Sequence, residues 1–428
     1  MPILFTGCGA DKDKPATADA SAEDGTDIGT DAGADDGTDT GNPELSACSG
    51  EIVVHNETDL GALEGCTIVD GSLSIGHSQS STGTASTLGS LDALSALTEV
   101  TGSLYIGHNN ALTSVDGLAR LTSVGGELII VQNDSLANID GLSSLTELGD
   151  NLRIAHNSAL TSINGFASLT SGGGSLGIHN NGSLTTIDGL RGLVHVDGEV
   201  GIVENDALTH IDGLANLTEV GGELIIALNP SLTDVDGLAS LTHVGGGANI
   251  TYNNALTSIN GLANLTTVGG DLAIGFNPAL ANIDGVNNLT TVGGGMGIYF
   301  NDRLATIDGM TNLSITPDFW IMITDNHALT SIQGFSSMSE VNSLQIISNG
   351  ALEHLDGLAS LTHVHDGLEI RNNNVLTNID GLSGLEFVGD VYLYSNATLC
   401  QSLVDTFTDM LSDLGWSGSH DIHDNADC

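Results

Sequence analysis

Apolar residues recur along this chain in groups of two or three, too short for helices and spaced by Gly and Asp-Gly. Aligned on the Asn of L-x-I-x-x-N-x-x-L, the pattern places Asn109, Asn133, Asn157, Asn181, Asn205, Asn229, Asn253, Asn277 and Asn301 at a strict period of 24. The spacing loosens through Asn326, Asn349, Asn373 and Asn396, and weaker copies stand at Asn56 and at Ser78, before an insertion after Gln79. That makes about fifteen turns of about 24 residues. In the unit from Gly126 to Gly149 the apolar pieces are Leu128/Ile130, Leu136/Ile139 and Leu142/Leu145/Leu148, which alternate as strands do. One unit cannot bury its own apolar edge, so the units must stack. The prediction is an all-β-dominated repeat solenoid, a right-handed parallel β-helix, spanning 47–400.

Stacking like on like gives the polar positions structural work. Turns ~4.8 Å apart would bring the Asn residues into a ladder of amides. The corner Asp or Asn, from Asp116 and Asp140 to Asp308, would bond local backbone, and the Gly after it would take a left-handed conformation. A row of acids binding divalent cations is the alternative; it would need further converging oxygens, so no metal is assigned. Beyond Cys400, Leu403, Phe407, Met410, Leu411 and Leu414 fall at helical spacing, with Asp405, Asp409 and Asp413 opposite. This predicts a helical cap over 401–428. Cys48, Cys66, Cys400 and Cys428 allow three pairings. If the repeats form one rod, only Cys48–Cys66 and Cys400–Cys428 come within the ~7 Å that bonded Cα atoms require, which implies an oxidising compartment.

The chain carries 54 Asp+Glu against 7 Lys+Arg, a formal net charge of −47. Phosphate backbones and anionic membrane surfaces are bound by Lys and Arg, so nucleic acid is excluded as a partner and the membrane is reached only through an anchor. Residues 9–46, rich in Asp, Gly, Thr and Ala, are too polar and self-repelling to fold and read as a disordered acidic tether. The Asp spacing there lacks the calcium-loop pattern. Before the tether, Leu4-Phe5-Thr6-Gly7-Cys8 resembles a bacterial lipobox, with Cys8 as the lipidated residue and 1–8 as a truncated signal. The expected location is the bacterial outer membrane or cell surface, reached by export.

The flanking cysteine pairs, the opening ACSGEIVVHNETDLGALEGCTIVDGSLSI, the IDGLxxLTxVGG repeat and the closing LCQS…C resemble the receptor L-domain, the leucine-rich-repeat-related β-helix. The resemblance covers 47–428. It implies a shared scaffold rather than a shared ligand, and growth-factor recognition is not carried over, because the array is longer and lacks a cysteine-rich module. Lyase chemistry on acidic sugars wants a cationic group, and the repeats hold no Lys and only Arg120, Arg153, Arg191, Arg303 and Arg371. Turns of nearly equal length leave few loops to wall a cleft, so a paired-carboxylate polysaccharide hydrolase stays only as a remote alternative. The group His420, Asp421, His423 and Asp424 reads as a polar terminal strand. The chain is expected to be no enzyme, to need no cofactor and to be a monomer.

One stretch breaks the monotony. Just before the ladder Asn most turns carry polar residues, but four consecutive turns carry Leu228, Tyr252, Phe276 and Phe300, with Tyr299, Phe319 and Trp320 beside them. Two readings stand: corner side chains stacked for stability, or an exposed strip that stacks on sugar rings or seats a partner's apolar anchors. The expected function is a surface-anchored recognition or adhesion module for a protein or polysaccharide. A passive envelope rod is the alternative. Ice binding, which wants regular Thr rows, ranks last because Ala137 and Ala281 interrupt the row of Thr113, Thr161, Thr185, Thr209, Thr233 and Thr257.

Overall fold

The computed structural model describes residues 47–76, 86–310, 312–313 and 318–428. The signal stretch, Cys8, the tether, Ser78 and the insertion after Gln79 lie outside the described residues.

Alternating Leu and Ile with β-branched neighbours makes four-residue strands such as Leu128–Val131 and Leu152–Ala155. They pair in parallel, identical position on identical position: Leu128 on Leu152, Leu152 on Leu176, Leu176 on Val200. Sixteen strands, from Ile52–Val54 to His420–Asp421, form one sheet. A second side of each turn carries two-residue strands such as Glu219–Val220, in two five-stranded parallel sheets. The third side is a column of three-residue 3₁₀ turns, including Asp116–Leu118 and Asp380–Leu382. Late in the array the first two sides fuse into the long strands Glu340–Ile347, His363–Arg371 and Phe387–Tyr394. The fold is a parallel β-solenoid, and its Leu, Ile and Val residues fill one continuous core from Val54 to Leu411.

The thirteen Asn residues from Asn109 to Asn396 are fully buried. Each donates its backbone N–H to the Oδ1 of the next Asn at 2.9–3.3 Å. Each Nδ2 reaches back to a carbonyl of the preceding turn, as Asn229 does to Ile202 O at 2.9 Å. The last acceptor is Asn425, which joins the ladder from the chain's end. Asn56 does not belong to it. Asn56 instead caps helix α1 (Glu57–Gly61), accepting from the Thr58 and Asp59 N–H groups at 2.8 and 3.1 Å.

The corner glycines differ from expectation. Glycines such as Gly117, Gly213 and Gly237 have ordinary φ; they are needed because a Cβ there would collide with the carbonyl of the preceding turn. The left-handed position is the residue before the ladder Asn, and none of its fourteen occupants is glycine, among them Leu228 at φ 58°, Tyr252 at 59° and Phe276 and Phe300 at 54°. Such bulky residues accept that strain only where their surroundings fix the backbone; here the Asn bonds do so.

Cys48 pairs with Cys66 and Cys400 with Cys428. Helix α2 (Gln401–Asp413) buries Val404, Phe407 and Leu411, whereas Leu403 and Leu414 are exposed. The expected apolar face is therefore shifted: Val404 takes the inward place that spacing gave to Leu403. After the helix, Trp416 Nε1 donates to Gly389 O at 2.7 Å and the chain adds the final strand.

Candidate recognition surface

The left-handed conformation turns the side chain before each ladder Asn outward, so these side chains form a column along one edge of the main sheet. Through most of its length the column is polar: Gln132, His156, Asn180, Glu204, then Asp325, Ser348 and Asn372. Between Glu204 and Asp325 stand Leu228, Tyr252, Phe276 and Phe300. The Tyr252 and Phe276 rings stack with centroids 4.2 Å apart and planes 9° from parallel; Phe276 and Phe300 stack at 4.6 Å and 7°. Tyr252 is 41% exposed and Phe300 40%, while Phe276 and Leu228 are half-buried.

Tyr299, one residue before Phe300, lies flat on the sheet over Gly275 and Gly297 and meets Phe276 edge-on at 5.5 Å. The same device recurs: Tyr105 covers Gly107, His179 covers Gly177, and Trp320 covers Gly295. Glycine on the outer face of a strand here makes a socket for a ring, so the sheet surface stays level. Trp320 opens its strand whereas Tyr299 closes its own, so Trp320 stands at the far end of the sheet, roughly 16 Å from the ridge at ~3.3 Å per residue. Phe319 is fully buried. The structure thus gathers Leu228, Tyr252, Phe276, Tyr299 and Phe300, and sets Trp320 and Phe319 apart.

Ring geometry decides what the ridge can do. A sugar ring packs on an aromatic face, but here the inner faces are covered by the neighbouring rings. The ridge offers ring edges, which carry the positive part of the quadrupole, the Tyr252 hydroxyl and aliphatic Leu228. That suits insertion between side chains better than a stacking platform for sugars. The Thr row is tied to the scaffold: the hydroxyls of Thr161, Thr185, Thr233 and Thr257 donate to carbonyls of the preceding turn at 3.1–3.3 Å.

Electrostatics vary along the array. Asp236 is pushed above the usual carboxylate range by burial and then by Asp234 and Asp212 beside it. His179 is held below its ordinary value by burial and by Arg153. Two shallow depressions, of about 290 and 390 Å³, lie beside α2 (Phe387, Asp390, Trp416) and against Glu99, Thr101 and Glu147; neither is lined by a histidine or lysine. Near α2 a smaller ring cluster joins His363, His365 and the 48%-exposed Phe387, a grouping across two turns that the sequence reading missed.

A stacked array with buried amide ladders, disulfides at both ends and a level outer sheet defines a parallel β-solenoid repeat scaffold. Residues 65–164 match the family model of the Receptor L domain, and in that stretch the repeat is receptor L-domain-like. An internalin, inlF, from Listeria monocytogenes str. 4b F2365 is 21% identical, over 86% of this chain and 89% of its own, with a TM-score of 0.32, too low to support an argument about shape or partner. Comparison with curated proteins found no match. The two disulfides suit an exported protein. Among the described residues no helix is long and apolar enough to cross a membrane.

Proposed function

We propose that this chain is a non-enzymatic, surface-anchored recognition module that seats a protein partner on the ridge of Leu228, Tyr252, Phe276 and Phe300. The observation that carries the reading is the contiguity of four large apolar residues, two of them about 40% exposed, in a column that is otherwise polar. Contiguous exposed apolar residues are what a monomer avoids unless they meet something. Glu204 and Asp325 flank the ridge and the whole chain carries −47, so the complementary partner is a protein with a basic rim around apolar anchors. The covered ring faces disfavour the polysaccharide alternative.

The reading is tested by probing paired protein and glycan arrays with the purified full chain. Retention on basic proteins that is lost when Tyr252, Phe276 and Phe300 are all changed to Ser supports it; retention only on glycans refutes it. The ring stack also favours a second reading, a passive rod in which the column only adds stability; this predicts no binding on either array. The anchor in this proposal is a lipid on Cys8 at the end of the acidic tether. Fatty-acid labelling that persists in Cys8→Ser would rule that anchor out.

A further inference from the structure

The corner column holds one place where carboxylates and an imidazole converge. Asp188 and Asp212 occupy the same corner position on successive turns, each opening a 3₁₀ turn. His210 lies two residues before Asp212, just ahead of the 3₁₀ turn that Asp212 opens. One ligand atom from each of Asp188, His210 and Asp212 lies within 4.8 Å of the other two. His210 Nδ1 is enclosed and has no hydrogen-bond partner, and it stands 3.6 Å from Asp212 Oδ2. Two ligands bonded at ~2.0–2.1 Å in a tetrahedral site are roughly 3.3–3.5 Å apart, so this pair is already at nearly that separation. Arg191 Nη2 touches Asp188 Oδ1 at 2.9 Å, which holds the carboxylate in place and leaves its second oxygen.

We propose that Asp188, His210 and Asp212 bind one divalent transition-type cation of the chemistry of Zn²⁺. An imidazole with two carboxylates suits that class, whereas Ca²⁺ and Mg²⁺ take all-oxygen sets. Among the described residues only Asp188, His210 and Asp212 bring an imidazole and two corner carboxylates from successive turns together, apart from the chain-end pairings of His423 with Asp421 and Asp424. His354 and Asp356 repeat the pair, with Nδ1 and Oδ2 3.4 Å apart, but the preceding corner is Gln333, which supplies no carboxylate. The other His–acid contacts at His195, His327 and His365 each join one acid only among the described residues. The site does not depend on the recognition ridge.

The test is calorimetric titration of the full chain with ZnCl₂. It is done in a His423→Ala background, because His423 touches both Asp421 and Asp424 and could take zinc by itself. His210→Ser and Asp188→Asn place residues that other turns carry at the same positions, Ser162 and Asn164, so the fold tolerates them; unchanged melting in chelator confirms this. The parent should bind one zinc, and either substitution should weaken it by about tenfold or more. Gln333→Asp should raise the stoichiometry to two. No zinc binding by the parent, equal affinity in His210→Ser, or a Gln333→Asp chain that still takes one zinc overturns the proposal.

Discussion

Replacing Asn229 by Leu keeps the number of side-chain heavy atoms and removes the polar contacts, and the bulkier methyl groups can only add to the loss. Its Oδ1 accepts the Asn205 N–H at 3.1 Å, and its Nδ2 donates to Ile202 O at 2.9 Å and to Ala227 O at 3.0 Å. Its own N–H bond to Asn253 Oδ1, at 3.2 Å, is unaffected. Ala227 O keeps a second donor, Glu204 N at 3.2 Å. The Asn205 N–H is left buried without an acceptor, at about 1–3 kcal/mol, and the two lost carbonyl bonds add about 1 kcal/mol each. The expected destabilisation is therefore about 3–5 kcal/mol, and Leu228 loses part of what holds it in its left-handed conformation. Urea denaturation gives the energy, and hydrogen exchange followed by mass spectrometry should show faster exchange at Asn205 and its neighbours than at distant turns. A loss below about 1 kcal/mol, or protection unchanged at Asn205, would refute the ladder as the element that fixes the corners.

Asp236→Asn should raise the melting temperature at neutral pH and low salt, because the fold raises that carboxyl and so disfavours its charged form; the gain should shrink at 1 M salt, where the screening length is ~3 Å, and a gain indifferent to salt would contradict the electrostatic cause. His179 titrates below 6.5 in the fold, so its contribution is complete above 6.5 and is lost as pH falls from there to the depressed folded value. Melting curves of His179→Gln should show a smaller loss over that window than the parent; equal losses would exclude His179 as the source. Removing 401–428 strips α2 and the last strand from the array end and exposes a bare edge. Light scattering should then detect oligomers, and a monomer with unchanged exchange protection in the final turns would defeat the capping argument.

Periodicity made the turns legible because each residue type repeats its own environment every 24 residues, from Asn109 to Asn301. What broke the period was misread or unseen. Asn56 looked like a ladder residue by its place after IVVH, but a helix follows it and its side chain caps that helix. Asn425 is 29 residues beyond Asn396, separated by α2, so spacing gave no hint that it completes the ladder. The spacing sets the phase of α2 by Leu403 and Leu414, whereas packing buries Val404 with Phe407 and Leu411 and lays Met410 against the core. The left-handed corners were invisible because none of them is glycine. For the site, sequence found the aromatic run but not its ring orientation, which depends on the 4.2 and 4.6 Å stacking across turns. The proximity of Asp188 to His210 likewise exists only between turns.

Whether the ridge exists for contact rather than for stability is read from one paired measurement. Wild type and the Tyr252→Ser, Phe276→Ser, Phe300→Ser triple variant are compared for affinity toward the strongest protein hit from the arrays and for melting temperature, on the same samples. The stacked rings contribute about 0.5–1.5 kcal/mol per pair beyond their area, so a modest fall in melting is expected in any case. The account predicts that binding drops by about tenfold or more, the ~1.4 kcal/mol that even one anchor residue commonly supplies. A variant that binds as tightly as wild type while its melting temperature collapses would contradict the account and leave the ridge as part of the scaffold.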